Sequence, residues 1–312
     1  MNEFFIILNQ ILKFTIMILA GVICAKTKVL KEEDLGAISA VVIKVTLPVF
    51  IFCNTILGAT KEQLLSDVAL IPLFVVFYLV LTIIAAALAR LTGVCGLKKK
   101  IYESLFIFGN VGFIGIPLIN SILPERGMLY IALFTIVDQT ALWTLGVYLT
   151  SKQSSGFSLS GLKNMLNPPL IAIFGAIIFI LCGLKLPSQI TEPLKAIGDS
   201  TTPMSLLYIG ASLCFCSFSK ILRCSELYIG IAVKMLIMPV VIYKLLVLAG
   251  ISTEEVRIMV TILVALPTMM TIPMLAKSND VEGEYCLSAS MLTHIFCLLT
   301  LPIVSYIVLV LF

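Results

Sequence analysis

The sequence contains few charged residues. Asp, Glu, Lys and Arg make up 12% of the 312 residues, whereas soluble domains contain about 25%. Apolar residues make up 60% of the chain, and the mean hydropathy is +1.13. This composition excludes an ordinary soluble fold. It predicts an all-α polytopic membrane protein, with the lipid bilayer as its surroundings.

The sequence also lacks the patterns that carry most enzyme chemistry. Its nine cysteines have no metal-binding spacing, and we interpret them as buried hydrophobes or inert thiols. No Gly-x-x-x-x-Gly-Lys-Ser/Thr motif is present, so a nucleotide would have to come from a partner. A cleavable signal peptide is not expected, because no basic region precedes the first apolar segment. We therefore expect no metal, no cofactor and no nucleic-acid partner.

Ten apolar segments have the length that a membrane-spanning helix requires, about 17–25 residues. They lie near 4–25, 36–57, 68–91, 101–122, 127–150, 167–184, 196–217, 227–249, 256–277 and 286–311. The longest link between segments is 151–166. It divides the chain into a first five-helix repeat, 1–150, and a second, 167–312.

The distribution of lysine and arginine predicts the orientation in the membrane. Alternate links, beginning with the first, contain twelve of these residues, and the other links contain five. Basic links face the cytoplasm. We therefore expect the 151–166 linker to be cytoplasmic and both termini to be extracytoplasmic, in the plasma (inner) membrane.

Two pairs of prolines indicate that the halves repeat. Pro117 in segment 4 and Pro273 in segment 9 each follow an isoleucine and are 156 residues apart. Pro48 in segment 2 and Pro203 in segment 7 are 155 residues apart. Since five spans per half is an odd number, the second half enters the membrane inverted. Inverted repeats with interrupted helices are typical of secondary transporters.

Segments 4 and 9 contain residues that interrupt a helix. Phe108–Leu118 has three glycines, one asparagine and one proline, and Ala265–Pro273 has two prolines. Such backbone is tolerated in a membrane only where protein or a water-filled cavity satisfies its polar groups. The N-termini of the resulting half-helices carry partial positive charge, which suits an anion such as a carboxylate.

The stretch Asn110–Leu118, the stretch Pro267–Lys277 and the ten spans together resemble the auxin efflux carrier family, over essentially the whole chain. Its bacterial members include malonate and malate permeases. The resemblance implies a fold like that of bile-acid sodium symporters, in which helices 4 and 9 cross in a transport domain. It also implies an organic anion bound beside the crossing, and often a homodimer.

Two residues of this chain match the motif at the crossing. Asn110 matches the asparagine of helix 4, and Pro267 matches the proline of helix 9. Plant members have a proline where this chain has Gly109. The long cytoplasmic loop of the long plant exporters is absent, so auxin is a poor candidate for the substrate.

The residues at the breaks have two interpretations each. Asn110 could donate its amide to a carboxylate, or could cap freed backbone. Gly109 and Gly112 could let backbone approach the substrate closely, or could form a helix-packing face. The hydroxyl of Thr268 could contact the substrate, or could bond to its own helix.

Ionisable residues inside apolar segments are the other candidates. Asp138, beside Gln139 in segment 5, could carry a proton, or could form a structural pair with Lys234 of segment 8. The resemblance also implies that Asp138 and Gln139 contact the substrate. Lys234 could instead neutralise the charge of the substrate. His294, the only histidine, could relay protons or could be a hydrogen-bonded packing residue.

Three residues of segments 2 and 7 complete the predicted site. Thr46 and Pro48 lie in segment 2, and Ser205 lies near the matching place in segment 7. The prolines could kink the helices and line a pocket, or could only kink them.

The sequence as a whole predicts a secondary transporter of a small organic anion, a mono- or dicarboxylate, that works by elevator-type alternating access. No acidic residue lies close to the breaks, which favours a proton-coupled or an uncoupled carrier over sodium coupling. One alternative is a non-transporting sensor or scaffold. A less favoured one is an intramembrane enzyme that uses Ser290 and His294 as a Ser–His pair.

Overall fold

The computed structural model of the protein describes residues 2–124, 126–152, 167–216, 218–250 and 253–311. These residues are almost entirely helical, and some of the helices contain short 3-10 or π turns. The helices of the first half are α1 Asn2–Lys26, α2 Glu32–Gly58, α3 Lys61–Leu91, α4 Gly96–Ile107, α5 Val111–Ile122 and α6 Gly127–Leu149. Those of the second half are α7 Pro168–Leu181, α8 Ser188–Asp199, α9 Thr201–Cys214, α10 Phe218–Ile221, α11 Ser225–Leu248, α12 Glu254–Ala265, α13 Thr271–Ser278 and α14 Gly283–Leu311.

Six helices in the described part of the chain are long and apolar enough to cross a membrane: α1, α2, α3, α6, α11 and α14. They coincide with predicted segments 1, 2, 3, 5, 8 and 10, so the prediction of an all-α polytopic membrane protein is confirmed. Segments 4 and 9 are each divided into two helices. Segments 6 and 7 form α7 and α9, of 14 residues each. Segment 7 was expected to begin at 196, but the helix there ends at Asp199 and α9 begins at Thr201.

Three helices contain a five-residue π turn that ends two residues before a proline. Proline has no backbone N–H, and its ring displaces the carbonyl four residues earlier, so the preceding turn widens. The turns and their prolines are Val42–Thr46 with Pro48, Val111–Gly115 with Pro117, and Val233–Ile237 with Pro239.

Glycines bring α1 and α9 into close contact. A Cβ atom at Gly21 would lie 2.2 Å from the carbonyl oxygen of Leu207, and one at Gly210 would lie 2.0 Å from that of Ile18. Small residues allow this backbone approach in membrane helices. Elsewhere α2 packs against α7 and α8, α3 against α4, α11 against α12, and α13 against α14.

The predicted 151–166 linker lies outside the described residues, apart from Ser151 and Lys152. Lys152 forms an ion pair with Asp280, in the turn between α13 and α14. The hydrogen bond from Lys152 lowers the pKa of the Asp280 carboxyl. This contact joins the end of the first half to the second half.

Candidate functional site

The first break separates α4 from α5. After Ile107 the backbone leaves the helix at Phe108, where φ is −95° and ψ is 112°. Helical turns resume at Val111, and the Asn110 side chain caps them, since its Oδ1 accepts a hydrogen bond from the Phe113 N–H at 3.2 Å. The interruption predicted for segment 4 is therefore present, and Asn110 has the capping role.

The second break separates α12 from α13. The helix ends at Ala265, and Pro267 lies in the non-helical stretch before Thr271. Pro273 lies in the first turn of α13, where a backbone N–H has no intrahelical partner and its loss costs little. Pro117 lies within α5, after its π turn, so it too lies outside the break. Of the prolines that the sequence placed at the breaks, Pro267 alone lies within one.

The two breaks lie side by side and share backbone hydrogen bonds. The Asn110 N–H donates to the Pro267 carbonyl at 2.7 Å, and the Met269 N–H donates to the Phe108 carbonyl at 2.9 Å. Gly109 and Thr268 thereby form an antiparallel bridge. Each break thus satisfies backbone groups that the other has freed, as a membrane interior requires. We call this paired stretch, 108–110 with 267–269, the crossing.

Gly109 and Gly112 are glycines for packing reasons in this arrangement. A Cβ at Gly109 would lie 3.2 Å from the Leu263 carbonyl oxygen and 3.3 Å from the Leu266 Cβ. A Cβ at Gly112 would lie 3.3 Å from Cδ2 of Leu47. These contacts correspond to the packing interpretation of the two glycines, and a close approach of their backbone to a substrate stays a prediction.

Thr268, in the second break, uses its polar groups to bond to two helices. Its hydroxyl donates to the Leu105 carbonyl of α4 at 2.8 Å, and its N–H donates to Thr293 Oγ1 of α14 at 3.0 Å. The hydroxyl therefore does not bond to its own helix, the alternative that the sequence suggested.

Asn110 also contacts the only histidine. Asn110 Nδ2 lies 2.9 Å from His294 Nε2, and His294 Nδ1 lies 2.8 Å from the Ser290 carbonyl oxygen. Both ring nitrogens are thus engaged. The Ser290 hydroxyl has no hydrogen-bond partner among the described residues, so the Ser–His pair that an enzyme would need is not formed.

Lys234 is fully buried beside the crossing. Its ammonium donates a hydrogen bond to the Leu266 carbonyl, which the second break has freed. Asp138 has different partners: the Tyr78 hydroxyl donates to Oδ1, and Gln139 Nε2 donates to Oδ2 at 2.9 Å. The Asp138–Lys234 pair considered from the sequence is therefore absent, and these two residues lie in separate networks.

The Asp138 network extends to another helix. Gln139 Oε1 accepts from Asn167 Nδ2 at 2.7 Å, and Asn167 Oδ1 caps α7 by accepting from the Leu170 N–H at 3.0 Å. The Tyr78 ring lies 5.9 Å from the ring of Phe108 at the first break. Sequence reasoning missed Tyr78 and Asn167, because their partners are 60 and 28 residues away along the chain.

The remaining predicted residues lie apart from the crossing's hydrogen bonds. Thr46 Oγ1 bonds back to the Val42 carbonyl at 3.5 Å, and Ser205 bonds back to the Thr201 carbonyl. Pro48 lines an open apolar groove between α2 and α7. A substrate contact for any of these three stays a prediction.

A cavity of about 200 Å³ extends along one face of α13. Tyr208 and Ser212 of α9 line it, and the hydroxyl of the buried Ser212 has no hydrogen-bond partner among the described residues. The Tyr208 ring also lies 6.0 Å from the ring of Phe113, just after the first break. The full lining is Glu32, Leu35, Gly36, Tyr208, Ser212, Phe215, Met270, Pro273, Met274, Lys277 and Leu287. Tyr208 and Ser212 were missed, although their spacing of four residues puts them on one helix face.

These features define a multi-pass membrane protein with a polar site buried between two broken helices. A family model described as membrane transport protein matches residues 6–161 and 157–305. The chain belongs to this family, the auxin efflux carrier family that segments 4 and 9 resemble.

Two curated relatives match almost end to end. An uncharacterized transporter of Methanocaldococcus jannaschii is 25% identical over 311 residues, which cover 97% of this chain and 99% of the relative. An uncharacterized transporter of Methanothermobacter thermautotrophicus is 28% identical over 305 residues, which cover 95% and 97%. The family and both relatives are transporters, so the chain is not an enzyme.

Proposed function

We propose that this transporter moves a small organic anion, a mono- or dicarboxylate, across the plasma membrane by elevator-type alternating access. In this proposal ten spans form two inverted five-helix repeats, and the protein is a homodimer with both termini extracytoplasmic. The observation that carries the proposal is the crossing, with the ammonium of Lys234 bound at its edge.

The electrostatics of the crossing favour an anion. The helical turns that begin at Val111 and Thr271 direct their first N–H groups towards the breaks, and these groups carry partial positive charge. In its protonated form Lys234 adds a positive charge in a low-dielectric setting, where its attraction for a carboxylate is stronger than in water. The carboxylate of Asp138 is engaged by Tyr78 and Gln139 and does not neutralise Lys234.

The packing supports an elevator motion. The crossing ties the two broken helices together, which suits a body that moves as one unit. The backbone contact between α1 and α9 at Gly21 and Gly210 suits a static scaffold. The cavity along α13 lies between these parts, since α9 supplies one wall and α13 the other. An anion bound at the crossing would be carried by one part past the other.

Asp138, Lys234 and His294 are the groups that we propose for proton coupling. A carboxylate inside a membrane span is costly and is commonly retained for proton or ion movement. Asp138 is buried and hydrogen-bonded at both oxygens. We favour a proton over sodium for this reason.

Uptake by sealed proteoliposomes tests the function. The purified protein is reconstituted, and radiolabelled mono- and dicarboxylates, including malonate and malate, are compared with neutral and cationic solutes of similar size. We expect at least one carboxylate to accumulate above protein-free liposomes. Binding of a carboxylate without flux would instead support the sensor or scaffold alternative, and uptake of cations alone would overturn the anion assignment.

A further inference from the structure

The side-chain amide of Asn110 is oriented by two protein groups. Its Oδ1 accepts from the Phe113 N–H at 3.2 Å, which leaves Nδ2 as the atom 2.9 Å from His294 Nε2. Because an amide nitrogen is a donor only, His294 Nε2 is the acceptor in this contact and carries no hydrogen.

The other ring nitrogen fixes the tautomer of the histidine. His294 Nδ1 lies 2.8 Å from the Ser290 carbonyl oxygen, which can only accept. Nδ1 therefore carries the hydrogen. The two contacts are consistent with one form alone, a neutral imidazole protonated at Nδ1.

We propose that His294 is a positioning residue for anion binding: as a neutral acceptor it holds the Asn110 amide in the orientation that leaves its second N–H for the anion. This inference rests on the proposed function and deepens it. One amide hydrogen is used by His294, and the second has no partner among the described residues. Without the histidine, the amide could rotate and lose either its cap on Phe113 or its donor towards the anion.

The surroundings of His294 suit this role. Its ring and Cys297 line a cavity of about 10 Å³, whose other walls are aliphatic or aromatic side chains of α1, α5, α9 and α14. This space holds about one water molecule, so little solvent can replace the Asn110 contact. Lys234 of α11 is the titratable group that acts on His294, and Cys297 acts in turn on Lys234. Since Lys234 supplies the positive charge at the site, anion binding needs His294 as an acceptor and not as a cation.

Protonation of His294 would remove the acceptor. Nε2 would then carry a hydrogen that faces the Asn110 amide hydrogens, and the amide would have to turn and release the Phe113 N–H. Protonation of His294 therefore weakens anion binding. A simple electrostatic role would have the opposite sign.

Nitrogen NMR can observe this residue alone, because the chain contains one histidine. Full-length protein with a non-histidine affinity tag is labelled with [15N]histidine. We expect the Nδ1–H neutral tautomer, and in Asn110→Ala we expect a shift of the Nε2 resonance while Nδ1 stays protonated. An Nε2–H tautomer, or an Nε2 chemical shift that is the same in Asn110→Ala as in the wild type, would overturn the proposal. This measurement needs no substrate, so its outcome is separate from that of the proposed function.

A double-mutant cycle tests the link to binding, with malonate and malate as probes in calorimetry. His294→Leu removes the acceptor, and we expect it to weaken binding by about fivefold to tenfold. His294→Gln keeps an acceptor oxygen and should stay within about twofold of the wild type. In the Asn110→Ala background, His294→Leu should have no further effect, because the two residues act through one contact.

The matched control is Cys297→Ala, which alters the same cavity one turn along α14 and should leave the affinity unchanged. Equal losses in the leucine and glutamine variants, or additive losses with Asn110→Ala, would show a packing role and overturn the proposal. If neither malonate nor malate binds the wild type, the proposed function is not supported for these two anions. The NMR measurement still decides the tautomer of His294 and its contact with Asn110.

Discussion

Lys234 is a buried ammonium whose hydrogen-bond partner is a backbone carbonyl. An isolated charge inside a membrane costs several kcal/mol, so a lysine persists there only with partners or a function. The break in the second half supplies the partner, because the Leu266 carbonyl has no helical N–H to accept from. In the proposed function, the remaining N–H groups of the ammonium bind the anion at the crossing.

Lys234→Met tests this role, with Lys44→Met as the matched control. Both lysines lie in a π turn that ends two residues before a proline, but Lys44 is exposed. We expect Lys234→Met to lower carboxylate uptake at least about tenfold, and Lys44→Met to transport normally. The melting temperature should change little, because the unpaired Leu266 carbonyl costs about 1–3 kcal/mol while a buried charge is relieved. Normal uptake by Lys234→Met would exclude the lysine from the site.

Asp138→Asn tests proton coupling. Asparagine keeps the shape and an acceptor for the Tyr78 hydroxyl, but it cannot take up a proton. We expect uptake driven by a pH gradient to vanish while counterflow exchange persists, and Asp199→Asn, at the exposed end of α8, to behave as the wild type. Both are measured in the same proteoliposomes. Retained dependence on the gradient would remove Asp138 from the coupling pathway.

At this scale the sequence identified polar residues but not their partners. Asn110, Asp138, Lys234 and His294 were predicted because polar groups in apolar segments need an explanation. Their contacts could not be derived, since Asn110 and His294 are 184 residues apart. For the same reason, the sequence did not predict that Asn110 both caps α5 and contacts His294.

The crossing requires that two non-helical strands approach closely. Gly109→Ala would bring a Cβ to 3.2 Å from the Leu263 carbonyl oxygen, and backbone cannot yield as a side chain can. We expect a loss of about 1–3 kcal/mol and a lower melting temperature in detergent. The control is Gly36→Ala in α2, where a Cβ meets no atom within 4 Å. That variant should be neutral or more stable by up to about 1 kcal/mol. Equal melting of the two variants would contradict this account.

The positions of the helices were predictable, but the geometry of their interruptions was not. Apolar runs of sufficient length located the six long helices, because hydrophobicity alone determines which segments enter a membrane. Pro117 and Pro273 lie inside helices and not in the breaks. A proline is tolerated after a widened turn, or within the first turn of a helix, as readily as it ends one. The breaks are instead centred at Gly109 and Pro267, where each chain finds hydrogen bonds on the other.

At the scale of the molecule, two native cysteines can report the orientation. Cys95 lies in the link between α3 and α4, and Cys182 follows α7; both are exposed. The distribution of basic residues predicts that they lie on opposite sides of the membrane. In variants that retain one of the two, we expect a membrane-impermeant maleimide to label Cys182 in intact cells and Cys95 only after permeabilisation. The reverse pattern would invert the predicted topology.

The proline offsets of 156 and 155 residues indicated that the halves repeat, and each half supplies one strand of the crossing. The packing of the halves depends on contacts such as that of Gly21 with Leu207. The spacing of residues within either segment does not predict these contacts. The sequence could therefore name the two partners but not their arrangement.

The shared hydrogen bonds of the crossing also affect how the chain is made. The Leu105 carbonyl and the Thr268 hydroxyl that satisfies it are separated by 163 residues. At about 5–20 residues per second, roughly 10–30 seconds pass between their synthesis. During that interval the first break holds backbone groups with no partner, at several kcal/mol each in lipid. Until residue 268 has been made, the first break therefore needs another hydrogen-bond donor for the Leu105 carbonyl, such as water, because the hydroxyl that satisfies it comes from the second half.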